Sequence, residues 1–206
     1  TDRVRSSPAV GDVDNDGQME IIFGNSSGKL YIINHDGTQQ LAYTILGFIE
    51  GTPALVDIDG DQDLEIAFTT TTTSGGQLYV IHHNGITMSG FPKELGSMWA
   101  GPAVHDIDND GAYDVVCSTY DKEVYAVEVN GGSIKAGFPV MLEGRLDVAP
   151  TIVDIDRDGD YEIAVGSNDG ELFVLNHDGT IFTQYDTGDD IRGGISVCDL
   201  NNDGQL

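Results

Sequence analysis

Acidic side chains recur in this chain at offsets that would gather oxygen atoms around one point. Asp12, Asp14, Asp16 and Glu20 hold positions 1, 3, 5 and 9 of a nine-residue stretch, with Gly17 at position 6. The pattern returns at Asp57, Asp59, Asp61 and Glu65, at Asp106, Asp108, Asp110 and Asp114, and at Asp154, Asp156, Asp158 and Glu162. A fifth copy opens with Asp199, Asn201 and Asp203 and has no closing acid before Leu206. Position 7, held by Gln18, Asp63, Ala112 and Asp160, would add a backbone carbonyl. Oxygen donors alone suit a hard cation, whereas zinc prefers His and Cys. Two carboxylates about 4 Å apart repel by about 4 kcal/mol at an effective dielectric of 20. Three or four around one turn would splay it unless a cation held them. Calcium is the expected ion, about one per complete repeat, because magnesium keeps several waters.

The loops differ in quality. An EF-hand closes with Glu at position 12, so the acid at position 9 leading into a strand argues against that motif. Loop two has Gln62 where the turn wants glycine, which costs about 1 kcal/mol if the residue takes positive φ. It also carries an extra acid, Asp63. Twenty of the 35 Asp and Glu residues lie inside the five loops. That clustering sets the chain apart from one that is merely acidic on its surface. The net charge of −26 makes nucleic acid and anionic membrane poor partners.

The elements that position these loops are short strands. The leading aspartates are 45, 49, 48 and 45 residues apart, a period that signals a repeat architecture. In each unit a small residue and Pro, as in Ser7-Pro8-Ala9-Val10, lead an apolar run into the first Asp. After the loop come a β-rich run (Glu20–Phe23), a polar turn, a second run (Leu30–Ile33) and an Asx-Gly turn such as Asp36-Gly37 or Asn130-Gly131. Asx-Gly between apolar runs is the strongest short hairpin signal, since both central residues of a type I′ turn need positive φ. A weaker fourth strand follows, as at 40–46 and 181–185. The expected fold is all-β: a β-propeller of four-stranded antiparallel blades, with four blades and the start of a fifth. The repeats run approximately 4–48, 49–97, 98–145, 146–190 and 191–206 within one propeller domain, with further blades expected outside this sequence. A closed four-blade ring is the alternative.

With these loops, and with Phe23-Gly24 and Gly101-Pro102-Ala103 near two signature spots, the chain resembles the FG-GAP repeat family, the integrin-α-type calcium-binding propellers. The resemblance covers essentially all 206 residues, although other repeats drift, as at Phe68-Thr69, Cys117-Ser118 and Val165-Gly166. It implies calcium in the hairpin between the first two strands of each blade. It also implies secretion or surface display and a binding or adhesion role toward a protein or carbohydrate. It does not name the ligand, because such repeats occur in adhesins, lectins and some polysaccharide lyases. A calcium-dependent lyase or other extracellular enzyme, and a structural spacer in a surface assembly, are the competing expectations.

No catalytic set stands out. His35, His83 and His177 fall at or beside the Asx-Gly turns, and His105 replaces an apolar residue before loop three. Phosphate-loop, Rossmann and nucleophile-elbow motifs are absent. Cys117 and Cys198 align with apolar strand positions two repeats apart, so both are expected buried and unbridged. No apolar run is long enough to span a membrane, and no signal peptide is visible. Phe91-Pro92 and Phe138-Pro139 read as blade-packing turns, and Thr69–Thr73 with Ser74-Gly75-Gly76 as a flexible loop extension or part of a ligand face. Ahead of each first strand, a fixed apolar slot (Val4, Ile49, Met98, Leu146, Ile191) precedes a variable one (Arg5, Glu50, Trp99, Asp147, Arg192). The variable slot lies at the strand end away from the acidic loop. Any ligand is expected on that face.

Overall fold

Four apolar runs per repeat become four strands per sheet. A computed structural model describes residues 2–200. The first sheet is β1 (Ala9–Gly11), β2 (Glu20–Gly24), β3 (Lys29–Ile33) and β4 (Gln39–Thr44). The second is β5 (Ala54–Val56), β6 (Glu65–Thr69), β7 (Gly76–Ile81) and β8 (Lys93–Leu95). The third is β9 (Ala103–His105), β10 (Asp114–Ser118), β11 (Glu123–Glu128) and β12 (Val140–Met141). The fourth is β13 (Thr151–Val153), β14 (Glu162–Gly166), β15 (Glu171–Leu175) and β16 (Ile181–Asp186). Each sheet is an antiparallel meander in chain order, and among the described residues all regular structure is strand. These are propeller blades, so the all-β expectation holds. Of the fifth repeat, Asn201 and Asp203 lie outside the described residues.

The core sits between blades. Ile22, Leu30 and Ile32 of the first blade pack with Ile66, Phe68 and Ile81 of the second. Ala67, Leu78 and Val80 meet Met98, Val115 and Val127. Val116, Val124 and Leu146 meet Ile163, Val165 and Phe173. A strand buried on both faces loses the polar alternation of a half-exposed one, which is why β6, β10 and β14 are buried throughout. The fixed slot belongs to this core: Ile49, Met98 and Leu146 are fully buried, while Val4 is exposed. The outer strand β16 is exposed along its whole length.

Three departures from expectation have local causes. Of the extension Thr69–Thr73 with Ser74-Gly75-Gly76, only Thr73 and Ser74 are exposed. Thr70 and Thr71 are buried, and Thr71 and Phe48 exchange backbone hydrogen bonds of 3.0 and 2.8 Å. Cys117 is buried, but Cys198 is exposed because no described strand covers it. In blades two and three the fourth strand comes late, after a Gly-Phe-Pro turn, and Phe91 and Phe138 pack against the inter-blade cores as expected.

Candidate metal centres and the opposite face

Each of the four complete acidic loops connects the first two strands of its blade, and backbone N–H groups fold it. In loop one, Asp12 accepts from the N–H groups of Asp16 (3.0 Å) and Gly17 (2.9 Å), and Asp16 accepts from Gln18 (2.8 Å). Asp106 and Asp110 repeat this pattern in loop three. Asp57 accepts from Gly60 and Gln62, and Asp61 from Asp63. In loop four, Asp158 accepts from Asp160 and Asp156 from Asp158. The closing acid opens the second strand and reaches back to the N–H at position 2: Glu20 to Val13 (3.1 Å), Glu65 to Ile58 (2.8 Å), Asp114 to Ile107 (3.3 Å) and Glu162 to Ile155 (2.8 Å).

Positive φ is required at two places in each of the four complete loops, not one. Position 6 is left-handed at Gly17, Gly111 and Gly159, and Gln62 adopts φ 79° there. Position 4 is left-handed too, at Asn15, Asn109 and Arg157, and loop two places Gly60 there. Loop two has therefore exchanged the glycine between its two strained positions.

The folded loops bring acids together. Oxygens of Asp12, Asp14 and Glu20 lie within 4.8 Å of one another, as do those of Asp154, Asp156 and Glu162, of Asp106, Asp108 and Asp114, and of Asp57, Asp59 and Asp61. Buried oxygens Asp14 Oδ1, Asp108 Oδ1, Asp114 Oδ1 and Asp154 Oδ1 have no hydrogen-bond partner. Orphaned buried carboxylate oxygens are costly, and a hard cation is the partner their chemistry fits. Asp160 and Asp63 are not simply position-7 backbone donors, because their side chains meet His177 (3.4 Å) and His83 (3.1 Å). Asp199 and Leu200 are described, but the rest of loop five is not.

Sequence reasoning missed one set of neighbours, the side chains that the hairpin between the third and fourth strands sends under the loop. Gln40 Nε2 donates to Asp14 Oδ2 at 3.1 Å. His82 Nδ1 lies 3.0 Å from Glu65 Oε1, so loop two gains a nitrogen donor beside Asp59 and Glu65. Lys135 Nζ lies 2.7 Å from Asp108 Oδ2 and 3.1 Å from Asp114 Oδ2. A dication on those oxygens would stand within about 5 Å of the ammonium, adding one Ca–O bond to one N···O contact. Their repulsion is about 7 kcal/mol at an effective dielectric of 20.

The electrostatics follow from burial. Glu20, Glu65 and Glu162 are pushed above the usual carboxylate range, mainly by desolvation and then against the backbone bond each accepts. Asp114 is pushed up to about 6 because burial outweighs Lys135. Asp108 meets the same ammonium but is partly exposed. Burial also works to raise it, yet the Lys135 bond and charge hold it below the ordinary value. The two carboxylates in turn raise Lys135 despite its own burial.

The variable slots converge at the other end of the first strands. Arg5, Glu50, Trp99, Asp147 and Arg192 line one cavity of about 350 Å³. Arg5 pairs with Glu50 at 3.4 Å, Arg192 with Asp190 at 2.6 Å, and Arg145 with Asp147 at 3.1 Å. Trp99 (42% exposed) and Tyr120 (39% exposed) stand 6.4 Å apart, and the Arg145 guanidinium lies 4.2 Å over the Tyr120 ring. With Asp147 they line an adjoining hollow of about 310 Å³.

Four blades, each with an acidic hairpin between its first two strands, define a β-propeller. A family profile for the FG-GAP-like repeat matches residues 12–68, so that stretch carries the repeat, as the sequence resemblance implies for it. No curated protein matches the chain. Solved structures share the fold. The V. cholerae biofilm matrix protein Bap1 is 21% identical over 87% of this chain and 28% of its own, with a TM-score of 0.67. BamB from Moraxella catarrhalis is 20% identical over 95% of this chain and 54% of its own, with a TM-score of 0.64. A Bacteroides caccae protein of unknown function is 17% identical over 90% and 61%, with a TM-score of 0.54. The chain thus spans less than two thirds of each of these structures.

Proposed function

We propose that the chain is an extracellular, calcium-stabilised propeller module that binds a carbohydrate on the face opposite its acidic loops. The observation that carries this reading is the exposed Trp99–Tyr120 pair with Arg145 and Asp147 beside it. Exposed aromatic rings accept the apolar face of a sugar ring, while a guanidinium and a carboxylate together match hydroxyls that both donate and accept. The FG-GAP-like repeat and the fold shared with a biofilm matrix protein support an extracellular setting. The orphaned oxygens Asp14 Oδ1 in loop one and Asp154 Oδ1 in loop four, each inside a cluster of three acids, support calcium.

Cleavage is the weaker reading. Arg5, Arg145 and Arg192 each pair with a carboxylate, and arginine does not lose its proton in ordinary conditions, so none serves as a base. The test is a glycan array followed by calorimetry on the best hit. Trp99→Ala should weaken binding about tenfold or more, equivalent to about 1.4 kcal/mol, with an unchanged melting temperature. Shortening of the glycan would instead favour a lyase. Silence on the array, with Trp99→Ala inert, would favour a protein ligand or a structural spacer.

A further inference from the structure

The calcium reading treats the four complete loops alike, but blade three departs from its neighbours in three linked ways. Its closing acid is Asp114 where the others have Glu20, Glu65 and Glu162, so the side chain is one methylene shorter. Its outer hairpin is one residue longer. Six residues separate the bridged pair Val127 and Ile134, whereas five separate Ile33 from Gln39, Ile81 from Thr87 and Leu175 from Ile181. The residue after each bridge is Gln40, Met88, Lys135 or Phe182, so only blade three puts a cation in that slot.

We infer that Lys135 is the resident cation of loop three, and that this loop holds no calcium. The side chain is buried, with the residue 7% exposed, and it is the only buried lysine among the described residues. Its ammonium meets Asp108 and Asp114 by their Oδ2 atoms, the pair that would close the site around an ion. The shorter Asp114 leaves room for that ammonium. The backbone N–H of Lys135 is fixed to the Ala126 carbonyl at 2.9 Å, so the side chain is aimed by the strand ladder. A buried ammonium is held only by such partners, and giving them to a dication would strand it. Asp108 Oδ1 and Asp114 Oδ1 stay without a partner, but any ion they shared would face the same positive charge.

This inference rests on calcium binding by the other loops. The test counts bound calcium by native mass spectrometry on the whole chain. Asp156→Asn in loop four should lose one equivalent, which checks the underlying reading. Asp108→Asn in loop three should lose none. Lys135→Met, which installs the blade-two residue, should gain one, with loop-three affinity at least 100-fold above the wild type. If Lys135→Met folds poorly, Lys135→Gln installs the blade-one residue and should also gain an equivalent. Loss of one calcium in Asp108→Asn overturns the inference and leaves the reading standing. Absence of calcium from the wild type and from both Lys135 variants overturns both.

Discussion

Gln62 carries in loop two the backbone strain that Asn15, Asn109 and Arg157 carry in the other complete loops. Its φ of 79° is left-handed, where an L-residue costs about 1–2 kcal/mol. Glycine there removes that strain and costs about 0.5–1 kcal/mol in chain entropy. Gln62→Gly is therefore expected to raise the melting temperature by about 2–4 °C, the shift that roughly 1 kcal/mol gives in a chain of this size. A lower melting temperature would show that the side chain matters more than the backbone. A second residue-scale effect is pH-dependent. The closing acids hold their protons to higher pH in the fold than in the unfolded chain, as far as about 6 for Asp114. Without metal, that stability is full below the ordinary carboxylate range and is lost as pH rises through the raised values. In chelator, thermal melts should then improve from pH 7 toward pH 5; with calcium present, the trend should reverse as protons compete with the ion. The same slope in both conditions would place the ion elsewhere. The acids that gather at positions 1, 3 and 9 of loops one, three and four, and at positions 1, 3 and 5 of loop two, were legible because they are neighbours in sequence. Gln40, His82 and Lys135 were not, because only the register of a later hairpin brings them under the loop.

At the scale of elements, the Gly-Phe-Pro turns fix the spacing of blades. Gly137 has φ 89°, and a Cβ there would collide with the Asp178 carbonyl of the next blade's hairpin. Gly131 has nearly the same φ, 91°, but faces open space. Gly137→Ala should therefore destabilise by about 2 kcal/mol or more, combining backbone strain with overpacking. Gly131→Ala should cost only about 1–2 kcal/mol, the strain alone. Urea melts of the two variants separate the terms, and equal losses would mean that the inter-blade contact is slack. The inner strands were readable from their apolar runs and Asx-Gly turns. The contact at Gly137 was not, since a glycine gives the same local signal whether it faces solvent or a neighbour's backbone. The threonine run misled for the opposite reason. Polar residues usually mark loops, yet Thr69 Oγ1 donates to the Ala100 carbonyl at 2.6 Å and Thr70 Oγ1 to the Gln77 carbonyl at 3.1 Å, which lets them stay buried.

For the whole molecule, charge and architecture are one problem. A net charge of −26 on 206 residues repels itself in a compact state, and the loops concentrate that charge at one end of the first strands. The opposite end carries paired arginines and exposed aromatics, so the molecule is divided into a face that gathers acidic clusters and a face that carries cationic and aromatic side chains. If loops one, two and four each hold calcium about 100-fold above its dissociation constant, they contribute roughly 8 kcal/mol together. At about 2–4 °C per kcal/mol, chelation should lower the melting temperature by about 15–30 °C. Monovalent salt screens surface repulsion but cannot bridge three carboxylates, so it should restore only a small part of the loss. Differential scanning calorimetry with chelator, with chelator and salt, and with added calcium distinguishes these terms. Full recovery by salt alone would mean that general charge repulsion, rather than ions in the loops, governs the stability of this propeller.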